Sequence, residues 1–97
     1  MKSIKTLKQL MEKNRQRLHE EYSIKTLGIF GSYSKGKASP GSDLDVLVEF
    51  SQPPNFFKFV RLERTLSRLL GIPVDLATPN SLKPLIRKKI LKEAIFV

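Results

Sequence analysis

Asp43, Asp45 and Asp75 combine a residue type and a spacing that suggest chemistry. They are the only aspartates in the chain, and the six other acids are all glutamates. A surface that needed only negative charge could use Glu throughout. Each of the three falls in a segment that reads as a β-strand, where Asp is disfavoured, so these short, stiff carboxylates point to oxygen ligands for a hard cation. Asp43 and Asp45 stand two residues apart, which puts both carboxylates on one face of a strand with their backbones separated by roughly 7 Å. Two metal ions about 3.5–4 Å apart could sit between them. An Asp75 on a parallel neighbouring strand would bring a third carboxylate to that face. Without a cation, like charges near 4 Å would repel by about 4 kcal/mol per pair at an effective dielectric of 20. Mg²⁺ answers that cost. It takes carboxylate oxygens together with substrate phosphates and retained waters, so the expected substrate is a nucleoside triphosphate.

The loop ahead of the first two aspartates fits the same chemistry. Residues 31–50 read GSYSKGKASPGSDLDVLVEF. Gly31 lets the backbone approach a phosphate closely, and Ser32 offers a hydroxyl and an N–H. Lys35 and Lys37 could add positive charge. Taken alone, Gly31, Gly36 and Gly41 could simply shape a turn, and Asp-x-Asp is weak by itself. The reading rests on loop and carboxylates together.

Several elements must position these residues. From the N-cap Ser3, the apolar residues Ile4, Leu7, Leu10, Met11 and Leu18 recur at helical spacing, which predicts an amphipathic helix over residues 4 to about 21 that covers a sheet. Residues 24–30 suit a first strand ending at the Gly-Ser pair. Leu44, Val46, Val48 and Phe50 alternate with Asp43, Asp45, Leu47 and Glu49, a period of two that predicts a second strand. The SQPPN stretch stops it. The apolar spacing of residues 56–70, closed by Gly71, predicts a helix. Residues 72–77 read as a third strand, TPNS as a turn, and a last helix begins near Leu82 or Lys83, with Pro84 in its first turn, before a short apolar end at residues 95–97. Strand, helix and strand form a βαβ unit, so strands two and three should pair in parallel, whereas the short turn between strands one and two makes those antiparallel. The expected fold class is α/β (α+β): a small mixed sheet of three to four strands flanked by helices.

Composition bounds the rest. At 97 residues, the chain is expected to form one domain over residues 1–97, and its 40% apolar content fits a globular protein. There is no cysteine, which excludes disulfides and thiolate metal sites. The first residues interrupt their apolar positions with Lys and Glu, which suits neither a secretory leader nor a membrane span, so a soluble, cytoplasmic protein is expected. Eighteen Lys and Arg against nine acids give a net charge of +9, and hence attraction to polyanions such as nucleotides, nucleic acids or an acidic partner.

Gly31-Ser32, ten further residues, Asp43-Leu44-Asp45, and Asp75 after a helix together resemble the signature of the polymerase-β-like nucleotidyltransferases. The match runs from about Leu27 to Ala77, and residues 73–97 look like the end of the minimal nucleotidyltransferases, the MNT proteins encoded beside HEPN-domain partners. Carried over by position, the resemblance implies that Asp43 and Asp45 bind two Mg²⁺ ions, that Asp75 binds one ion and helps activate the attacking hydroxyl, and that Gly31 and Ser32 hold the triphosphate of ATP. It implies an antitoxin that transfers AMP from ATP to a tyrosine of a cognate HEPN toxin. Relatives often carry Ala and Arg in place of Ser34 and Lys35, a departure that touches phosphate grip rather than the aspartates. The resemblance implies neither a membrane nor direct nucleic-acid binding. Two rival classes are kept: an antitoxin that neutralises its partner by covering it, and a basic nucleic-acid module.

Other residues receive plainer readings. Arg87, Lys88, Lys89 and Lys92 read as a solvated helix face that complements the helix dipole. His19 reads as exposed and without a role, and Tyr33 as packing on its own loop. Phe56, Phe57 and Phe59 cannot all face one core from four helical positions, so at least one is expected on the surface, available to a partner.

Overall fold

The computed structural model describes residues 2–97. Helices α1 (Ile4–Lys13) and α2 (Arg15–Tyr22) lead into strand β1 (Ile24–Phe30), and the glycine-rich loop connects it to β2 (Leu44–Phe50). Helix α3 (Phe56–Leu70), strand β3 (Val74–Ala77), a 3₁₀ turn (Pro79–Ser81), helix α4 (Pro84–Glu93) and strand β4 (Ile95–Phe96) follow. The sheet has the order β3-β2-β1-β4; β1 is antiparallel to both β2 and β4, and β2 is parallel to β3. The mixed sheet and its strand directions agree with the sequence pattern, and the apolar end supplies the fourth strand.

The first helical segment differs from expectation. It breaks at Asn14 instead of running on to about residue 21. Asn14 lies at φ −106° and ψ 7°, and its Nδ2 donates to the Leu10 carbonyl at 2.9 Å. A short amide that competes for backbone acceptors in this way disfavours helix continuation. Both halves still contribute to the core, through Leu7 and Met11 from α1 and Leu18 and Tyr22 from α2.

Alternation along β2 divides the sheet into two faces. Leu44, Val46 and Val48 point into the main core with Leu62, Leu66 and Leu70 of α3, all fully buried. Burying one such side chain contributes about 1.5–3 kcal/mol. Asp45, Leu47 and Glu49 belong to the other face. Ser3 and Gly71 cap as the sequence suggests, Ser3 Oγ accepting from the Thr6 N–H at 3.2 Å and Gly71 closing α3 at φ 72°, and the structure adds an N-cap at Asn55, whose Oδ1 accepts from the Lys58 N–H at 2.8 Å. Helix α4 buries none of its residues.

Candidate active site

The parallel pairing of β2 and β3 sets Asp45 directly beside Asp75, with Leu44 beside Val74 and Val46 beside Leu76. On its other side Asp45 is opposite Phe30, the last residue of β1, so it stands next to the turn that begins at Gly31. Asp43 was expected on the strand; it lies one residue before β2 and is exposed. Asp75 is exposed and Asp45 half-buried. The aspartates therefore occupy the open end of a sheet face and not an enclosed cleft.

Electrostatics single out Asp45. Its carboxyl is held above the usual carboxylate range, first by burial and then by the negative charges of Asp75 and Asp43. The two neighbouring aspartates thus act on one group, Asp75 from the adjacent strand and Asp43 from two residues earlier in the chain. Among the described residues, no three His, Cys, Asp or Glu side chains converge closely enough to hold a metal ion. The backbone aligns Asp45 and Asp75, and their side chains are not drawn into a cage.

The loop meets these carboxylates at Gly31. Its φ is +73°, and a Cβ at this position would fall 2.1 Å from Asp45 Oδ2. Only glycine leaves room for the carboxylate against the turn. The turn is closed by the Lys35 amide bonding to the Gly31 carbonyl at 3.2 Å, the Lys37 amide to the Ser32 carbonyl at 2.8 Å, and Ser34 Oγ donating to the Gly31 carbonyl at 2.9 Å. Ser32 therefore sits at the start of a turn whose internal amide bonding begins only at Lys35. Lys35 Nζ lies 3.7 Å from Glu93 Oε2 at the end of α4, so it is paired across the fold, while Lys37 is exposed.

Other residues found more definite places than their sequence readings gave. Tyr33 is buried in the main core instead of resting on its own loop. His19 is exposed as expected, yet its Nδ1 is bonded to the Ile24 carbonyl, which ties α2 to β1. Arg87 is not part of a purely solvated face: Nε donates to the Pro79 carbonyl at 2.7 Å and Nη2 to the Leu82 carbonyl at 3.1 Å. Phe56 and Phe57 are exposed, whereas Phe59 packs edge-on against Phe50 with ring centroids 6.2 Å apart. Glu63 and Ser67 escaped the sequence reading altogether. They bond the backbone of β3 on either side of Asp75, and the available signal was that Glu63 is the lone acid in the otherwise basic α3.

A cavity of about 420 Å³ lies elsewhere, between α2 and β1, lined by Arg15, His19 and Lys25 among others. None of the three aspartates lines it. The all-oxygen donor set, the aligned Asp45–Asp75 pair and the space that Gly31 leaves for Asp45 fit a hard cation beside an anionic substrate.

Residues 11–97 match the nucleotidyltransferase domain family. A Methanocaldococcus jannaschii protein, provisionally named a protein adenylyltransferase, is 43% identical over 98 residues covering all of both chains. The protein adenylyltransferase MntA of Thermococcus cleftensis is 37% identical over 97 residues, covering 100% of this chain and 98% of that protein. A solved structure described provisionally as a minimal nucleotidyltransferase superposes with a TM-score of 0.82 at 32% identity, covering 97% of this chain and 95% of that one. At 22% and 19% identity, two more distant structures share the fold: a toxin–antitoxin with AMP-PNP (TM-score 0.72, 88% of this chain and 69% of that one), and a tri-AMPylated Shewanella oneidensis HEPN toxin in complex with MNT antitoxin (TM-score 0.67, 93% and 70%). On sequence and fold together, this chain belongs to the nucleotidyltransferase domain family.

Proposed function

We propose that the protein is a Mg²⁺-dependent protein adenylyltransferase that transfers AMP from ATP to a tyrosine of a HEPN-domain toxin and so acts as its antitoxin. The observation that carries this reading is the alignment of Asp45 with Asp75 next to Gly31, with Asp43 two residues ahead. The AMPylated HEPN toxin bound to an MNT antitoxin in a structural relative supports the choice of acceptor, and the AMP-PNP complex supports ATP.

Asp43, Asp45 and Asp75 would hold the metal. When bound, Mg²⁺ neutralises the carboxylates and the triphosphate and stabilises charge on the attacking and departing oxygens. Gly31 and Ser32 hold the triphosphate against the turn. Asp75 orients the tyrosine hydroxyl and draws on its proton as the phenolic oxygen bonds to the α-phosphorus. The bond from that phosphorus to the bridging oxygen breaks, and pyrophosphate leaves with the electron pair. Exposure of Asp43 and Asp75 suits an acceptor delivered on another protein, because the partner's own surface then excludes water.

The test is to incubate the protein with Mg²⁺, labelled ATP and a cognate HEPN-domain protein, then to look for AMP on a partner tyrosine by mass spectrometry. Asp43→Asn with Asp45→Asn should lower transfer by at least about 100-fold, since loss of even a supporting outer-shell group costs about 10–100-fold, while the complex still forms. Neutralisation that survives this double change would instead favour coverage of the partner, a reading to which the exposed Phe56 and Phe57 lend a surface.

A further inference from the structure

Strand β3 lies at an edge of the sheet, paired only with β2. Outward amides of such a strand ordinarily face water or invite another strand. Here two of them are taken by α3. The Val74 N–H donates to Ser67 Oγ at 3.0 Å and the Leu76 N–H donates to Glu63 Oε2 at 3.1 Å. These two amides flank Asp75 in the sequence. On the inner side, the Leu44 N–H donates to the Pro73 carbonyl at 2.8 Å. Ser67 Oγ itself donates to the Glu63 carbonyl at 2.8 Å, so one turn of α3 presents both acceptors in fixed relation.

We infer that Glu63 and Ser67 are positioning residues for Asp75, holding β3 at the height along β2 that sets Asp75 beside Asp45. The inference rests on the nucleotidyltransferase reading above. Its physical basis is the shortness of β3, which has four residues and one pairing partner. A slip of one residue would turn Asp75 to the opposite face of the sheet. The four-residue ladder gives little resistance to that slip, and two side-chain acceptors anchored on a fifteen-residue helix supply what the missing neighbour strand would have given. A carboxylate acceptor makes the Glu63 bond charge-assisted and stronger than a neutral one. This also accounts for an acid placed alone among Lys58, Arg61, Arg64 and Arg68: it serves the strand beneath and not the surface.

The experiment uses the full chain as Glu63→Leu, Ser67→Ala and Glu63→Gln, each studied well below its melting temperature. Mn²⁺ binding in the presence of a non-hydrolysable ATP analogue is followed by electron paramagnetic resonance, and amide exchange is read at Val74 and Leu76. Exchange should accelerate at Leu76 in Glu63→Leu and at Val74 in Ser67→Ala. Mn²⁺ affinity should fall about 10–100-fold in Glu63→Leu, whereas Glu63→Gln, which keeps an acceptor oxygen without the charge, should stay within about threefold of the parent. Unchanged Mn²⁺ affinity in both Glu63→Leu and Ser67→Ala overturns the inference. So does a Glu63→Gln loss as large as that of Glu63→Leu, because the effect would then belong to charge and not to the backbone bond. A parent protein that binds no Mn²⁺ removes the nucleotidyltransferase reading and this inference with it; a parent that binds the ion while the variants bind it equally removes this inference alone.

Discussion

Gly31 and Asp45 share one space: the position a Gly31 side chain would fill is already occupied by the Asp45 carboxylate, 2.1 Å from an added Cβ. Gly31→Ala should therefore fail twice. An L-residue at this positive φ costs about 1–2 kcal/mol, and the new methyl displaces the carboxylate. Thermal melts should show a loss of at least about 1 kcal/mol, with AMP transfer down by about 100-fold or more. Adding Asp45→Ala should recover part of the stability and none of the transfer, a non-additive pair in a double-mutant cycle.

The raised carboxyl of Asp45 has a pH consequence whose sign is set by burial and by Asp75 and Asp43. The folded state holds this proton more tightly than the unfolded chain does, so Asp45 contributes stability in acid that is lost as pH rises through its folded pKa. In metal-free buffer, Asp45→Asn should melt higher than the parent at neutral pH, with the gap closing on acidification through the carboxylate range. Saturating Mg²⁺ with ATP should reverse the order, because only the parent gains from binding. Melting curves between about pH 4 and pH 8 check both statements.

How far could this arrangement be read without coordinates? The period-two pattern of β2, the helical period of α3 and the lengths of the two connections carried the mixed sheet and the strand directions, because hydrophobic spacing and loop length constrain both. Parallel pairing of β2 and β3 followed from the βαβ unit, but the register that sets Asp45 beside Asp75 did not. Less legible were features that depend on a single side chain meeting a distant backbone. The break at Asn14 turns on one amide reaching Leu10, and the burial of Tyr33 on where the loop folds over the core. Glu63 and Ser67 bond residues 13 and 7 positions further on, a relation that periodicity does not encode.

Ser23 is the one described non-glycine residue at positive φ, 56°, where it closes α2. Its carbonyl accepts from the Ser51 N–H at 2.8 Å and Ser51 Oγ at 3.1 Å, bonds that any residue at position 23 retains. Ser23→Gly should relieve the left-handed strain and stabilise the protein by about 0.5–1 kcal/mol, read as a rise of a few degrees in Tm with transfer unchanged.

Helix α4 is held by hydrogen bonds more than by packing. It buries no residue, and Leu85 is 86% exposed, while Arg87 reaches back to the Pro79 and Leu82 carbonyls. Arg87→Ala should cost about 1.5–3 kcal/mol locally and much less globally. Amide exchange across α4 should quicken while exchange in α3 stays at the parent rate.

The two outer margins of the sheet also decide how this chain can associate. One margin is β4, with two residues, and the other is β3, whose outward amides are already spoken for by α3. The outward Val74 and Leu76 amides of β3 are thereby withdrawn from pairing with a further strand, while β4 covers only Gly28 and Ile29 of β1. At the β3 margin, contact with another molecule therefore falls to side chains, and the end of the sheet that carries Asp45 and Asp75 stays open.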